Sequence, residues 1–204
     1  MKLVFIGIQG SGKGTQARLL EDKYGFKLFE SGTALRNIAA ENSDLGKKVK
    51  SIIDAGDHVS PEIVENIMID ILENKSNGKN IIFDGFVRNI GNKQSADKVL
   101  KDYKVVLFKL SEEKARERLL GRIYNPKTGE TFKSGTFTDP ETGDKLEKRA
   151  DDNEEAIIKR IKLYVDKALP LIEEYKEKGN LIIINADQSV EHVFNELVTK
   201  LNLK

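Results

Sequence analysis

The stretch Leu3-Val4-Phe5-Ile6-Gly7-Ile8-Gln9-Gly10-Ser11-Gly12-Lys13-Gly14-Thr15-Gln16 constrains this chain more than any other part of it. A short apolar run ends at Gly7, four glycines and one lysine fall within residues 7–14, and Ala17, Leu20 and Tyr24 then recur at helical spacing. Strand, glycine loop and helix in direct succession predict a backbone that turns several N–H groups inward, with the positive end of a helix dipole behind them. Such a concavity receives a polyphosphate. Lys13 supplies a mobile cation for the β- and γ-phosphates, and Thr15 a hydroxyl near the α- and β-phosphates or a magnesium ion. The match to Gly-x-x-x-x-Gly-Lys-[Ser/Thr] fails at one place, because Gly14 stands where the hydroxyl residue is expected and Thr15 follows one later.

Further elements follow from periodicity and stop signals. Residues 13–24 read as the first helix, stopped by Gly25, and 26–29 as a second strand. Ser31-Gly32-Thr33 opens a helical pattern through Leu35, Ile38 and Ala39; Asp44 is the expected cap of another helix over 45–53, ended by Asp54-Ala55-Gly56. Ser60-Pro61 starts a helix with Ile63, Val64, Ile67, Met68 and Ile71 on its apolar face. Residues 30–60 are therefore small helices inserted between core elements. Residues 79–85 form a buried strand ending in Asp84, an acid placed to meet magnesium or its waters, and Arg88 follows where it can face the same crevice. A helix over about 89–101, a strand over 104–110 and a helix from Ser111 carrying Arg116, Arg118 and Arg122 come next. Residues 123–150 are rich in turn residues and predict a small hairpin-based insert. A long amphipathic pattern runs from Asn153 to Pro170, residues 181–184 form the last strand, and Ser189 caps the last helix. Five strands alternating with helices predict a parallel, doubly wound α/β sheet with ligands at the carboxyl ends of its strands.

Charged residues make up 33% of the 204, yet the formal net charge is +1. No overall field draws the chain to nucleic acid or membrane, so an anionic ligand must be held by a local cluster of cations. The absence of cysteine excludes disulfides and thiolate metal sites. The N-terminal apolar run is too short for a secretion signal or a membrane span, and the expected state is a cytoplasmic monomer.

Gly7-x-x-Gly10-x-Gly12-Lys13-Gly14-Thr15-Gln16, Ser31-Gly32-x-x-Leu35-Arg36, Asp54-Ala55-Gly56, Asp84-Gly85-Phe86-x-Arg88 and Arg149-x-Asp151-Asp152 occur in this order. Together they resemble the adenylate kinases of the long-lid type, within the nucleoside monophosphate kinase superfamily, over essentially the whole chain. The resemblance implies a P-loop NTPase-type core (1–29, 60–121 and 160–204), a nucleoside monophosphate (NMP)-binding insert (30–59) and a lid (122–159). It implies transfer of the terminal phosphoryl group of MgATP to AMP, giving two ADP. By the same resemblance Gly10, Ser11, Gly12, Lys13, Gly14 and Thr15 hold the ATP phosphates, and Arg118, Thr131, Phe132 and Gln188 lie around the ATP base. Ser31, Arg36, Gly85, Phe86, Val87 and Arg88 form the AMP site, with backbone near Asp57, His58 and Val59 against its base. Lys13, Arg88, Arg122, Arg149 and Arg160 surround the group in flight, and Asp84 orients magnesium-bound water, with Thr15 a further contact. Phosphoryl transfer spreads negative charge over equatorial oxygens, so fixed cations and in-line positioning supply most of its catalysis.

Related lids often hold zinc through two Cys-x-x-Cys pairs; here the aligned positions are Asn125, Thr128, Asp139 and Thr142, so a polar hydrogen-bond network is expected in place of zinc, as in the family's zinc-free members. Four further departures bear on specificity. The family's prolines are replaced by Gln9 and Val87, its acid after Ser-Gly by Thr33, and the glutamine that reads adenine by Asn92, with Gln94 two residues on. Valine predicts a trans bond after Phe86. Phe86-Val87-Arg88-Asn89-x-x-Asn92 also resembles UMP/CMP kinases, whose lids are short, so a pyrimidine or relaxed NMP kinase stands as the alternative. A nucleotide-binding adaptor without catalysis is the alternative of another class.

Overall fold

The computed structural model describes residues 1–203 except 56, 78–79, 133 and 150–151. Gly56, Lys79 and Asp151 of the sequence patterns therefore lie outside the described residues. The chain runs β1 (Lys2–Gly7), α1 (Lys13–Tyr24), β2 (Lys27–Glu30), α2 (Ser31–Ala39), α3 (Asp44–Asp54), α4 (Pro61–Asp70), β3 (Ile81–Asp84), α5 (Ile90–Leu100), β4 (Lys104–Lys109) and α6 (Glu112–Leu120). It continues through β5 (Ile123–Tyr124), β6 (Thr131–Phe132), α7 (Glu154–Leu163), α8 (Leu171–Glu177), β7 (Leu181–Asn185) and α9 (Val190–Leu201).

β1 organises the layers. Its side chains alternate between two cores: Leu3 and Phe5 pack with Ala17 and Leu20 of α1 and Val193, Phe194 and Leu197 of α9. Val4 and Ile6 pack with Val64 and Met68 of α4, Ala96 and Leu100 of α5, and Leu171 and Tyr175 of α8. A strand apolar on both faces needs helices on both faces, which is the doubly wound arrangement. The main sheet has five strands in the order β2-β3-β1-β4-β7, and every neighbouring pair is parallel. In this register Glu30 lies beside Asp84 and Asp84 beside Phe5, so two carboxylates end adjacent strands next to the glycine loop.

The boundaries differ from expectation in small, explicable ways. The chain leaves α1 through Gly25 at φ 65°, and Phe26 N–H turns back to the Leu20 carbonyl (3.4 Å), so Phe26 belongs to the turn and β2 starts at Lys27. The cap of α3 is Ser43, which accepts from Gly46 N–H (3.0 Å); Asp44 is instead the first helical residue, where its carboxylate meets the positive end of the dipole. Pro61 opens α4, although the Ser60 side chain makes no capping bond. α4 runs into a π turn at Ile71–Lys75, α7 into another at Tyr164–Ala168, and Pro170 separates the latter from α8. The Phe86–Val87 bond is trans. β5 and β6 form the antiparallel hairpin anticipated in the turn-rich segment, extended by bridges Tyr124–Glu147 and Thr138–Lys145. Among the described residues, no helix is long and apolar enough to cross a membrane.

Candidate active site

A cleft of about 770 Å³ opens at the carboxyl ends of the central strands, between the glycine loop, α2, the residues after β3 and the hairpin segment. Its floor is the loop itself. Ser11 N–H bonds to the Ile8 carbonyl (3.1 Å), and Gly12 sits at φ 84° with nothing within 4 Å of where a Cβ would project. α1 starts from Gly12 without a side-chain cap, so its first-turn N–H groups are left to a bound anion. The Lys13 amine lies across the loop, donating to the carbonyls of Gly7 (2.8 Å) and Ile8 (3.1 Å) and to Ser11 Oγ (3.3 Å). Burial pushes its pKa down to about 8, against the pull of Asp84. Burial raises the Asp84 carboxyl, opposed by Lys13 and Arg88, and its Oδ1 is buried without a hydrogen-bond partner among the described residues. The residues thus fit a divalent cation in one respect, since a buried, unsatisfied carboxylate oxygen beside a phosphate loop gains by facing one.

Arginines from different elements converge on this floor: Arg18, Arg36, Arg88, Arg118, Arg122 and Arg149 all line the cleft with Lys13. Arg88 is fixed by its Nε donating to the Gly85 carbonyl (2.7 Å) and Nη2 to Ser31 Oγ (3.2 Å), while Ser31 Oγ donates to the same carbonyl (2.8 Å). Gly85 adopts φ 72°, and a Cβ there would come within 3.0 Å of both Ser31 Oγ and Arg88 Nη2, so only glycine permits the cluster. Burial also weighs against the Arg88 charge, with Asp84 favouring it. Arg122 forks onto Asp152, Nε to Oδ2 at 2.7 Å and Nη2 to Oδ1 at 2.6 Å, and Arg160 Nη1 reaches the same Oδ1 at 3.4 Å. Arg149 stacks over the Tyr124 ring at 5.0 Å. Arg118 donates to the Ala186 carbonyl (3.1 Å), and Thr131, Phe132 and Gln188 line the cleft with it.

The expected residues Gly10, Ser11, Gly12, Lys13, Gly14, Thr15, Ser31, Arg36, His58, Asp84, Gly85, Val87 and Arg88 also line the cleft. Asp57, Val59, Phe86, Asn92 and Arg160 are not among its lining residues. Val59 and Phe86 are core side chains, and Asp57 pairs with Lys159 at 2.9 Å. Asn92 is buried, its backbone N–H held by Asn89 Oδ1 (2.9 Å) and its Oδ1 by Arg88 N–H (3.4 Å). Its Nδ2 is buried without a partner among the described residues. Gln94 is exposed, because Asn89 fixes the start of α5 and turns residue 94 outward.

Two features were missed from the sequence. Asp152, with a fully buried side chain, is the acid shared by Arg122 and Arg160; its place in the Arg149-x-Asp151-Asp152 pattern was the available signal. The other is a relay across the cleft: Arg18 Nη2 reaches the Thr128 carbonyl (3.4 Å) and Glu30 (3.1 Å), Thr33 Oγ1 donates to Glu30 (3.0 Å), and Arg36 Nη2 donates to Thr33 Oγ1 (3.0 Å). Thr33, at the family's acid position, thus passes the arginine's hydrogen bond on to an acid that stands at residue 30.

The family model for adenylate kinase matches residues 5–180. The chain belongs to the adenylate kinase family. Among its curated relatives are "Adenylate kinase" of Alkaliphilus oremlandii, 33% identical over 98% of each chain, and "Adenylate kinase" of a Hydrogenobaculum species, 34% identical over 98% of this chain and all of the relative. "Adenylate kinase 2" of Schistosoma mansoni is 33% identical over 96% of this chain and 86% of its own. Membership makes the chain a nucleotide-binding, ATP-binding kinase.

In this adenylate kinase the positions Asn125, Thr128, Asp139 and Thr142 carry the expected polar network. Asn125 Nδ2 donates to Asp139 Oδ2 (2.7 Å) and Thr142 Oγ1 (3.2 Å), while its Oδ1 accepts from Lys127 N–H (2.9 Å) and Thr128 N–H (3.4 Å). Asp139 Oδ1 accepts from Glu141 N–H (2.9 Å) and Thr142 N–H (3.1 Å), and Lys127 closes the group by pairing with Asp144. Asn125 and Asp139 are 0% and 2% exposed, so the network is the interior of a segment with little apolar core of its own. Among the described residues no cluster of three or more His, Cys, Asp or Glu is arranged to hold a metal ion.

Proposed function

We propose that this adenylate kinase transfers the terminal phosphoryl group of MgATP to AMP, giving two ADP, through a core (1–29, 60–121, 160–204), an NMP-binding insert (30–59) and a lid (122–159). The observation that carries the reading is the convergence of Lys13 with Arg36, Arg88, Arg122 and Arg149 on one cleft beside an uncapped helix N-terminus. ATP phosphates lie on the loop from Gly10 to Thr15, and its base lies against Arg118, Thr131, Phe132 and Gln188. The AMP phosphate lies between Arg36 and Arg88, with Ser31, Gly85, Phe86, Val87 and the backbone of Asp57, His58 and Val59 around the nucleoside, and Asn92 near its base. Lys13, Arg88, Arg122, Arg149 and Arg160 offset the charge that spreads over the phosphoryl oxygens in the transition state. Magnesium would be held by Asp84 through water and by Thr15; bound, it supplies charge neutralisation at the phosphate oxygens. The residues of 122–159 exclude water, which protects ATP from hydrolysis.

None of these roles requires a side-chain nucleophile. The test is incubation with MgADP alone, followed by nucleotide separation: equal amounts of ATP and AMP are expected, and release of inorganic phosphate without AMP would overturn the proposal.

A further inference from the structure

We propose that the His58 imidazole reads a hydroxyl of the ribose of the accepted nucleoside monophosphate, which makes it a residue that tells a ribonucleotide from a deoxyribonucleotide. The inference rests on the assignment of the Arg36 and Arg88 side of the cleft to the acceptor.

The loop carrying His58 is held on both sides of it. Asp57 is paired with Lys159 of α7 at 2.9 Å, and the same amine donates to the Ala55 carbonyl at 2.6 Å. On the other side Val59 is 6% exposed and sits in the core. Anchored between a salt bridge and a buried valine, the His58 side chain faces the cleft, whose lining it shares with Val87, Arg88, Tyr164 and Ala168. Its Nδ1 is buried and has no hydrogen-bond partner among the described residues. A buried ring nitrogen without a partner is costly unless a ligand supplies one.

The neighbours determine which ligand group fits. Burial, and then the positive charges of Arg88 and Lys167 beside the ring, hold the His58 pKa down at about 4, with Asp57 of its own loop opposing them. The ring is therefore neutral at physiological pH and presents one N–H donor and one lone pair. A neutral imidazole adds little to a phosphate already faced by arginines. A ribose hydroxyl both donates and accepts, so it satisfies Nδ1 in either tautomer. Position agrees with chemistry: the His58 ring lines the cleft with Arg88, assigned to the phosphate, and its backbone belongs to the loop assigned to the base, and the sugar is what joins phosphate to base.

The chain has two histidines, and the second, His192, is exposed on α9 and serves as the internal reference. The experiment titrates the full ¹⁵N-labelled chain with AMP, following the imidazole nitrogens, and measures kcat/KM of wild type and His58→Leu with AMP, 2′-deoxy-AMP and 3′-deoxy-AMP. AMP is expected to shift the His58 Nδ1 resonance and leave His192 in place. Wild type should favour AMP over one of the deoxy analogues by about tenfold, the worth of one neutral hydrogen bond. His58→Leu should lose that preference with KM for ATP unchanged. An unmoved His58 resonance at saturating AMP, or the same ribo-to-deoxy ratio in both proteins, would overturn the inference while AMP turnover left the acceptor assignment standing. Failure of every monophosphate to react would remove the proposed function together with it.

Discussion

Asp152→Ala removes the carboxylate on which two arginines of the proposed transfer site converge. The side chain it deletes is 0% exposed, and its partners Arg122 and Arg160 are 17% and 15% exposed. Breaking a buried ion pair at one partner costs about 3–5 kcal/mol. Here Arg122 borders the open cleft and both guanidiniums are partly exposed, so they recover some hydration, which lowers the expected loss of folding stability to about 2–3 kcal/mol. Activity should suffer more than binding. The Arg122 fork, closed at 2.6 and 2.7 Å, fixes a group proposed to act on the transition state, where a misplacement of about 1 Å is worth roughly a hundredfold in kcat. KM for ATP should change little, because the loop and Arg118 are untouched. Asp152→Asn keeps one acceptor and the shape, so it should fall between wild type and Ala in both readouts. Urea denaturation and a coupled ADP-production assay measure the two effects separately. An Asp152→Ala protein with kcat within about threefold of wild type would refute the claim that this acid positions Arg122 for catalysis.

Other consequences follow from the same geometry. Lys13 has a folded-state pKa of about 8, below its unfolded value near 10.5, so kcat/KM for ATP should fall as pH rises through about 8, with kcat holding to higher pH because bound phosphates restore the proton. By linkage the folded protein binds fewer protons than the unfolded between those values, so this lysine's burial penalty shrinks as pH rises from 8 to 10.5; a flat kcat/KM profile to pH 10 would contradict the assignment. Asp139→Ala deletes the shortest acceptor of Asn125 Nδ2 and the acceptor of two backbone N–H groups, and hydrogen exchange over residues 125–144 should quicken by about a hundredfold while the central strands keep their protection. Unchanged exchange there would mean that the network does not hold the segment together. Glu30→Gln weakens the Arg18 pair and the hydrogen bond from Thr33, and KM for AMP should rise about threefold at constant KM for ATP. A rise in KM for ATP alone would place the relay on the wrong nucleotide.

Much of the fold was legible because its signals are local. Gly25, Pro61 and Ser189 mark helix ends through backbone chemistry that involves only neighbouring residues, and the buried strands announce themselves as apolar runs. The failures arise where two residues compete for one job or where the third dimension decides. Ser43 and Asp44 are both cap formers, and nothing nearby says which one turns out of the helix. The π turns at Ile71–Lys75 and Tyr164–Ala168 carry no composition of their own. At the cleft, the glycine loop was plain from spacing, since its geometry is dictated by consecutive residues. The Arg18–Glu30 pair joins α1 to the end of β2, and Asp152 joins residues 30 and 8 positions away, so both required the packed chain to become visible. Asn92 shows the same limit: its identity was readable, but its burial against Arg88 N–H was not.

The most direct test of the central claim is steady-state turnover with MgATP and each of AMP, CMP, UMP and GMP at equal concentration. The account predicts AMP favoured by about a hundredfold or more in kcat/KM, the scale that pocket hydrogen bonding supplies. Comparable or faster rates with CMP and UMP would contradict it and reassign the acceptor site to pyrimidines.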